Sequence, residues 1–200
     1  SGDVLVSGGW SGGYLTSSEI YSPGGNTWTN VVSAMPAAKG YHSATLMSDG
    51  RVLTVGGWNG GPVATCEIYD PSSGWSAAAT LTPGESYGHR YHTANLLPDG
   101  RVIVTGGAGG AFGTTALDYY RIYDPTGNSW SGTPFPAIGG ARYAHAATLL
   151  ASGDLLLVGG NAANSVVVDV IDGTWASAGS LDGPREEGAV ALLPNGKVIY

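Results

Sequence analysis

YHSATLMSDGRVLTVGGWNGGPVATCEIYDPSSGW, Tyr41 to Trp75, is the stretch whose reading decides how the whole chain folds. It opens with a short alternating run, Ser43 to Met47, turns at Ser48-Asp49-Gly50, and runs on through Arg51 to Val55 into Gly56-Gly57. Two such runs about an Asp-Gly turn predict a β-hairpin. A third run carries Glu67-Ile68-Tyr69 and stops at Asp70-Pro71, because proline fixes φ and donates nothing to a ladder. Trp75 opens a fourth.

The rest of the sequence largely repeats this stretch. YHTANLLPDGRVIVTGG begins at Tyr91, AHAATLLASGDLLLVGG at Ala144, and a partial copy, EGAVALLPNGKVIY, at Glu187. SGDVLVSGGW at Ser1 aligns with SGDLLLVGG at Ser152, so the first copy starts past its own first strand. The pairs Gly8-Gly9, Gly56-Gly57, Gly106-Gly107 and Gly159-Gly160 recur at spacings of 48, 50 and 53. Four short strands in each unit of about 40–50 residues predict the blades of a β-propeller, each burying its neighbour's face. We therefore expect one all-β domain over 1–200, of about four four-stranded blades, with units near 1–37, 38–86, 87–138 and 139–183 and a partial unit at 184–200. No sustained 3.6-residue apolar pattern predicts a helix.

The glycine doublet, the Tyr-Asp-Pro turn and the tryptophan six or seven residues later resemble kelch repeats, in the units holding Tyr21/Trp28, Tyr69/Trp75 and Tyr123/Trp130. In the last unit Ile171 stands where the tyrosine is expected, with Trp175 four residues on. The resemblance implies a kelch-type propeller and leaves the activity open, because propellers host unrelated functions.

The two ends raise the question of closure. The first blade lacks an inner strand, and Ala189 to Leu193 could supply one, pairing beside Val4 to Val6 within the chain or from a neighbouring copy. Residues 196–200 would then duplicate residues 2–6. A four-bladed ring closed by the C-terminal strand, a homo-oligomer completed through the unfinished terminal blades, and part of a larger ring all follow from this pattern. The absence of an initiator methionine suggests a processed, excised or engineered chain.

Composition narrows the partners. A net charge of −7 and only two lysines, Lys39 and Lys197, leave no basic stripe to neutralise phosphates, so nucleic acid is not expected. No run approaches the length of a membrane-spanning helix and no signal peptide is legible at Ser1, so no membrane partner is expected. The single Cys66 excludes an internal disulfide framework and reads as a small buried hydrophobe. Location stays open, with an extracellular one preferred.

Connections alternate between the two faces of a propeller. The Asp-Gly and Tyr-Asp-Pro turns share one face, where Asp49 and Asp99 serve the backbone rather than chemistry. The other face gathers Trp10, Trp58 and Phe112 from the loops after the glycine pairs, with Tyr41, Arg90, Tyr91, Arg142, Tyr143, Arg185 and Glu187 from the segments leading into the inner strands. These form the candidate ligand face. The repeated tryptophans Trp28, Trp75, Trp130 and Trp175 read as packing between blades.

His42, His92 and His145 hold one repeat position and are the candidate metal ligands. Satisfying neighbouring backbone is the competing role. Tyr41, Tyr91 and His92 also match positions that supply copper ligands in the galactose-oxidase-type kelch domains these repeats resemble. That resemblance further requires a cysteine on a neighbouring inner strand and a histidine from outside the propeller, and neither is present. The leading expectation is thus a non-catalytic binding or assembly module for a protein or glycan, without cofactor. A copper-dependent oxidase is the first alternative. A carbohydrate-binding propeller, stacking sugars on Trp10 and Trp58, is the second.

Overall fold

The computed structural model describes residues 2–81, 89–131 and 137–200, and among them every regular element is a strand. The first sheet holds β1 (Val4–Ser7), β2 (Ser18–Ser22) and β3 (Thr27–Asn30). The second holds β4 (Ser43–Leu46), β5 (Val52–Val55), β6 (Cys66–Asp70) and β7 (Gly74–Ala77). The third holds β8 (Thr93–Leu96) and β9 (Val102–Thr105), and after a small hairpin of β10 (Ala108–Gly109) and β11 (Thr115–Ala116) it adds β12 (Tyr120–Asp124) and β13 (Ser129–Trp130). The fourth holds β14 (Ala146–Leu149), β15 (Leu155–Val158), β16 (Asn164–Val168) and β17 (Trp175–Ser180). A two-stranded hairpin, β18 (Ala191–Leu192) and β19 (Val198–Ile199), ends the chain.

Every sheet is antiparallel and in chain order. The first strands of successive sheets are neighbours, β4 beside β8, β8 beside β14 and β14 beside β18, so the sheets stand as propeller blades about a common axis. Two apolar cores lie between blades rather than within them. One joins Leu53, Val55 and Ile68 of the second blade to Val102, Val104 and Tyr123 of the third, and the other joins Ile103 and Ile122 to Leu155, Leu157 and Val166 of the fourth.

The tyrosine–tryptophan pairs are cross-strand neighbours. Tyr21, Tyr69 and Tyr123 oppose Trp28, Trp75 and Trp130, with ring centroids 5.1, 5.3 and 5.2 Å apart. Trp75 reaches back to donate to Ser18 Oγ at 3.2 Å, and Trp130 to the Ala79 carbonyl at 2.8 Å, bolting each blade to the one before. Register corrects the reading of the last unit. Val168, not Ile171, opposes Trp175, so the spacing there is the regular one and a β-branched residue fills the tyrosine's place. Asp169 keeps the turn by accepting the Ile171 and Asp172 amides, as Asp124 accepts that of Thr126. Burial follows position in the row: Trp130 is 8% exposed, whereas Trp28 in the first sheet and Trp175 in the fourth are 57% and 48% exposed.

The glycine doublet is explained by a contact that recurs at four junctions. The second glycine donates its N–H to a carbonyl of the segment leading into the next blade: Gly9 to Lys39 at 2.8 Å, Gly57 to His89 at 2.7 Å, Gly107 to Arg142 at 2.8 Å and Gly160 to Arg185 at 2.7 Å. Both glycines of each pair lie at positive φ, and a Cβ would strike a neighbouring lead-in segment or the repeating histidine at all of them except Gly9, where it would meet nothing within 4 Å. Gly107→Ala (φ 107), where a Cβ would sit 2.9 Å from His92 Cβ, is expected to cost about 3 kcal/mol through left-handed strain plus overpacking. Gly60→Ala (φ 72) meets nothing within 4 Å and should cost about 1 kcal/mol. Urea denaturation of the pair distinguishes them, and equal losses would remove the junction contact from the explanation.

The C-terminal pairing differs from expectation. Within the chain Ala191–Leu192 pairs with Val198–Ile199 and not with Val4 to Val6, and among the described residues β1 pairs only with β2. The junction bond from Gly160 to Arg185 matches the other three, so the hairpin stands as the first two strands of a fifth blade rather than as closure of the first. Gly188 takes the histidine position there, and Tyr200 fills the space instead, donating its hydroxyl to the Arg185 carbonyl at 2.6 Å.

Candidate functional site

The turn face is built as the sequence predicts. Arg51 Nε donates to Asp49 Oδ2 at 2.8 Å and Arg101 Nε to Asp99 Oδ2 at 2.7 Å, while the Asp49 and Asp99 Oδ1 atoms accept backbone amides two residues on. The arginine hydrogen bonds hold both carboxyls below the usual range. With Asp124 and Pro125 these clips rim a pocket of about 260 Å³. Each carboxylate has a structural partner.

On the opposite face the segments leading into β4, β8, β14 and β18 share an unusual backbone. Tyr41, Tyr91, Ala144 and Glu187, at one repeat position, have φ of 55, 56, 52 and 57°. A non-glycine residue there costs about 1–2 kcal/mol, and such strain is held in place by surrounding structure. Part of that hold is visible: the Ala144 amide donates to the Tyr91 carbonyl at 2.8 Å and the Glu187 amide to the Ala144 carbonyl at 2.9 Å.

The side chains assemble into an aromatic row. The Tyr41 and Tyr91 ring centroids are 4.9 Å apart, and Tyr91 and Tyr143 are 6.4 Å apart. Burial, with Tyr41 beside it, pushes the Tyr91 phenol up. The Arg90 guanidinium lies 4.2 Å over the Trp58 ring and 5.0 Å from the Tyr91 ring, and its Nε donates to the Gly113 carbonyl at 3.0 Å. The β10–β11 hairpin is thereby tied to the second blade, with Phe112 exposed between its strands. Trp10 and Tyr41 are also exposed, as are Arg185 and Glu187.

Two candidates take other roles. Arg142 is fully buried, not on the face; Nε and Nη1 donate to the carbonyls of Gly140 and Asn164 at 3.4 and 3.1 Å. Trp58 is covered by Arg90 and Gly113, so it does not form an open platform matching Trp10.

The histidines do not converge. His42 Nε2 lies 3.4 Å from Ser7 Oγ, His92 Nε2 2.8 Å from Ser43 Oγ, and His145 Nε2 3.2 and 3.1 Å from the hydroxyls of Thr93 and Thr105. Each ring clips its blade to the preceding one. Burial holds His42 down at about 4 and His145 at about 3, and His92 well below its ordinary value, with the cations Lys39 and Arg142 adding to the first two. Among the described residues no three His, Cys, Asp or Glu side chains gather as metal ligands. The residues also do not fit a copper radical centre: the His92 ring is turned to Ser43, and Cys66 sits in β6 within a core, its thiol pushed up to about 12 by burial.

Sequence reasoning missed a buried charge network beneath the face. Lys39, 0% exposed, donates to Glu67 Oε2 at 2.5 Å and to the Thr65 carbonyl at 2.9 Å, and Thr54 and Thr65 hydroxyls donate to the Glu67 carboxylate at 2.9 and 2.8 Å. The signal was present in the repeat. Lys39, His89 and Arg142 share one position, and all three are buried.

A Kelch motif model matches residues 39–81, the second blade and its lead-in. The solved structure described as "Structure of YjhT" superposes with a TM-score of 0.78 at 17% identity, over 98% of this chain and 76% of that one. No curated protein sequence matches.

Proposed function

We propose that this chain, a propeller of kelch repeats, is a non-catalytic binding module that docks a protein partner on the face bearing the glycine-pair loops and the inner-strand lead-ins. The observation carrying this reading is that exposed Trp10, Tyr41 and Phe112 belong to the loops and lead-ins of that one face, which also holds a pinned Arg90. Tryptophan, tyrosine and arginine dominate the energetic centres of protein interfaces, and a rigid anchor loses little entropy on binding. The Asp49 and Asp99 carboxylates lie instead at the turns of the other face, each held by its own arginine. The covered ring of Trp58 argues against a sugar platform built from two tryptophans.

The test begins with selection from peptide and glycan libraries against the wild-type chain. Peptide ligands are expected, and Trp10→Ser with Phe112→Ser should weaken them by about 30-fold or more, as loss of interface hot spots does. Asp49→Ala on the other face should leave them unchanged, and thermal melts should confirm that the variants fold. Ligands that bind the double variant equally well would end this reading. So would substrate turnover by the copper-loaded chain that is lost in Tyr91→Phe.

A further inference from the structure

We infer that Tyr41 and Tyr91 form an oxidative cross-linking site, at which a peroxidase-type one-electron oxidant joins the two rings and ties the second blade to the third. The centroids are 4.9 Å apart with an interplanar angle of 47°, and each ring is carried by a left-handed residue at the same position of consecutive blades. Tyr41 is exposed and reachable by an external oxidant; Tyr91 is half-buried against it.

The chemistry balances with hydrogen peroxide as the terminal acceptor. Each phenol loses one electron and its hydroxyl proton, leaving a phenoxyl radical with spin density on the ring carbons ortho to oxygen. The two radicals pair in a new carbon–carbon bond between ortho positions, and the hydrogens on those carbons move to the oxygens as aromaticity returns. The two electrons and two protons released reduce one hydrogen peroxide to two waters.

Radical pairing needs two rings at once, so prior contact replaces a rare encounter with a local step. Four other described tyrosines have different ring neighbours or a longer separation. Tyr21, Tyr69 and Tyr123 face tryptophans, and Tyr143 stands 6.4 Å from Tyr91. A bond between Tyr41 and Tyr91 would fuse two rings of the aromatic face into one rigid unit, so oxidation would also act on whatever that face binds. The inference stands on ring geometry and does not depend on the binding reading.

The full chain is treated with a haem peroxidase and limiting hydrogen peroxide, and the monomer is isolated by size exclusion. Bityrosine fluorescence, a mass lower by two hydrogen atoms, and a cross-linked peptide containing Tyr41 and Tyr91 are expected. Tyr41→Phe and Tyr91→Phe, which keep the rings, should each abolish the intramolecular signal, while Tyr143→Phe retains it. Coupling that maps to other tyrosines, links only between molecules, or undiminished yield in Tyr41→Phe would overturn the assignment. Peptide mapping of the wild type decides the matter even if a variant folds poorly.

Discussion

Acidification from neutral pH towards 4 is expected to unfold the protein, with stability already falling as pH drops below 6.5. The sign follows from the blade-junction histidines. Their folded-state values lie below the ordinary 6.5, at about 4 for His42, about 3 for His145 and well below 6.5 for His92. The unfolded chain therefore takes up protons first, so the stabilisation is complete above 6.5 and is lost as pH falls through the folded values. Each fully buried histidine contributes a slope of up to about 1.4 kcal/mol per pH unit in that window, with the half-buried His42 contributing less. Charging also sets like charges against one another: Lys39 acts on His42, Arg142 on His145, and His89, its ring centroid 6.3 Å away, on His92, with Glu67 the compensating anion for His42. Urea midpoints measured across this range give the slope, and His145→Gln should flatten it. A midpoint unchanged between neutral pH and about 4 would rule out neutral histidine clips as the hold between blades.

Lys39→Met is expected to cost about 3–5 kcal/mol, because it leaves the Glu67 carboxylate buried without its cation. The Lys39 Nζ and Glu67 Oε2 atoms meet in a site where both side chains are at most 1% exposed, and the threonine hydroxyls cannot supply a charge. Adding Glu67→Leu should recover most of the loss, since an apolar pair of similar volume removes the desolvation penalty altogether. Chemical denaturation of both variants measures the coupling. A loss below about 1 kcal/mol for Lys39→Met would mean that the carboxylate finds solvent or a proton easily.

The blades were legible because their signals are local. Asp-Gly turns, Asp-Pro stops and paired glycines each impose a backbone geometry that the residue type announces. The tyrosine position of the last blade was misplaced because Val168 carries no ring to mark it, and only the pairing with Trp175 identifies it. The partner of Ala191–Leu192 was not legible, since Val4–Val6 and Val198–Ile199 present the same alternating pattern to the same strand. Which residues enter the loop-and-lead-in segments was legible, and how deeply each is buried was not. Arg142 carries a surface residue's chemistry into a position where Lys39 and His89 are also buried, and the shared left-handed backbone of Tyr41, Tyr91, Ala144 and Glu187 has no residue type to signal it.

The junction bond from each second glycine has a consequence for how such a protein can change over generations. Both of its atoms belong to the main chain, so the bond is indifferent to which side chain the accepting residue carries. Lysine, histidine and two arginines occupy that acceptor position at the four junctions with nearly the same bond length. This part of the attachment between blades is thus written in glycine, while the histidine clips and the tryptophan bonds depend on side chains. Tyr41 or Phe112 can be exchanged without touching either atom of these main-chain joints.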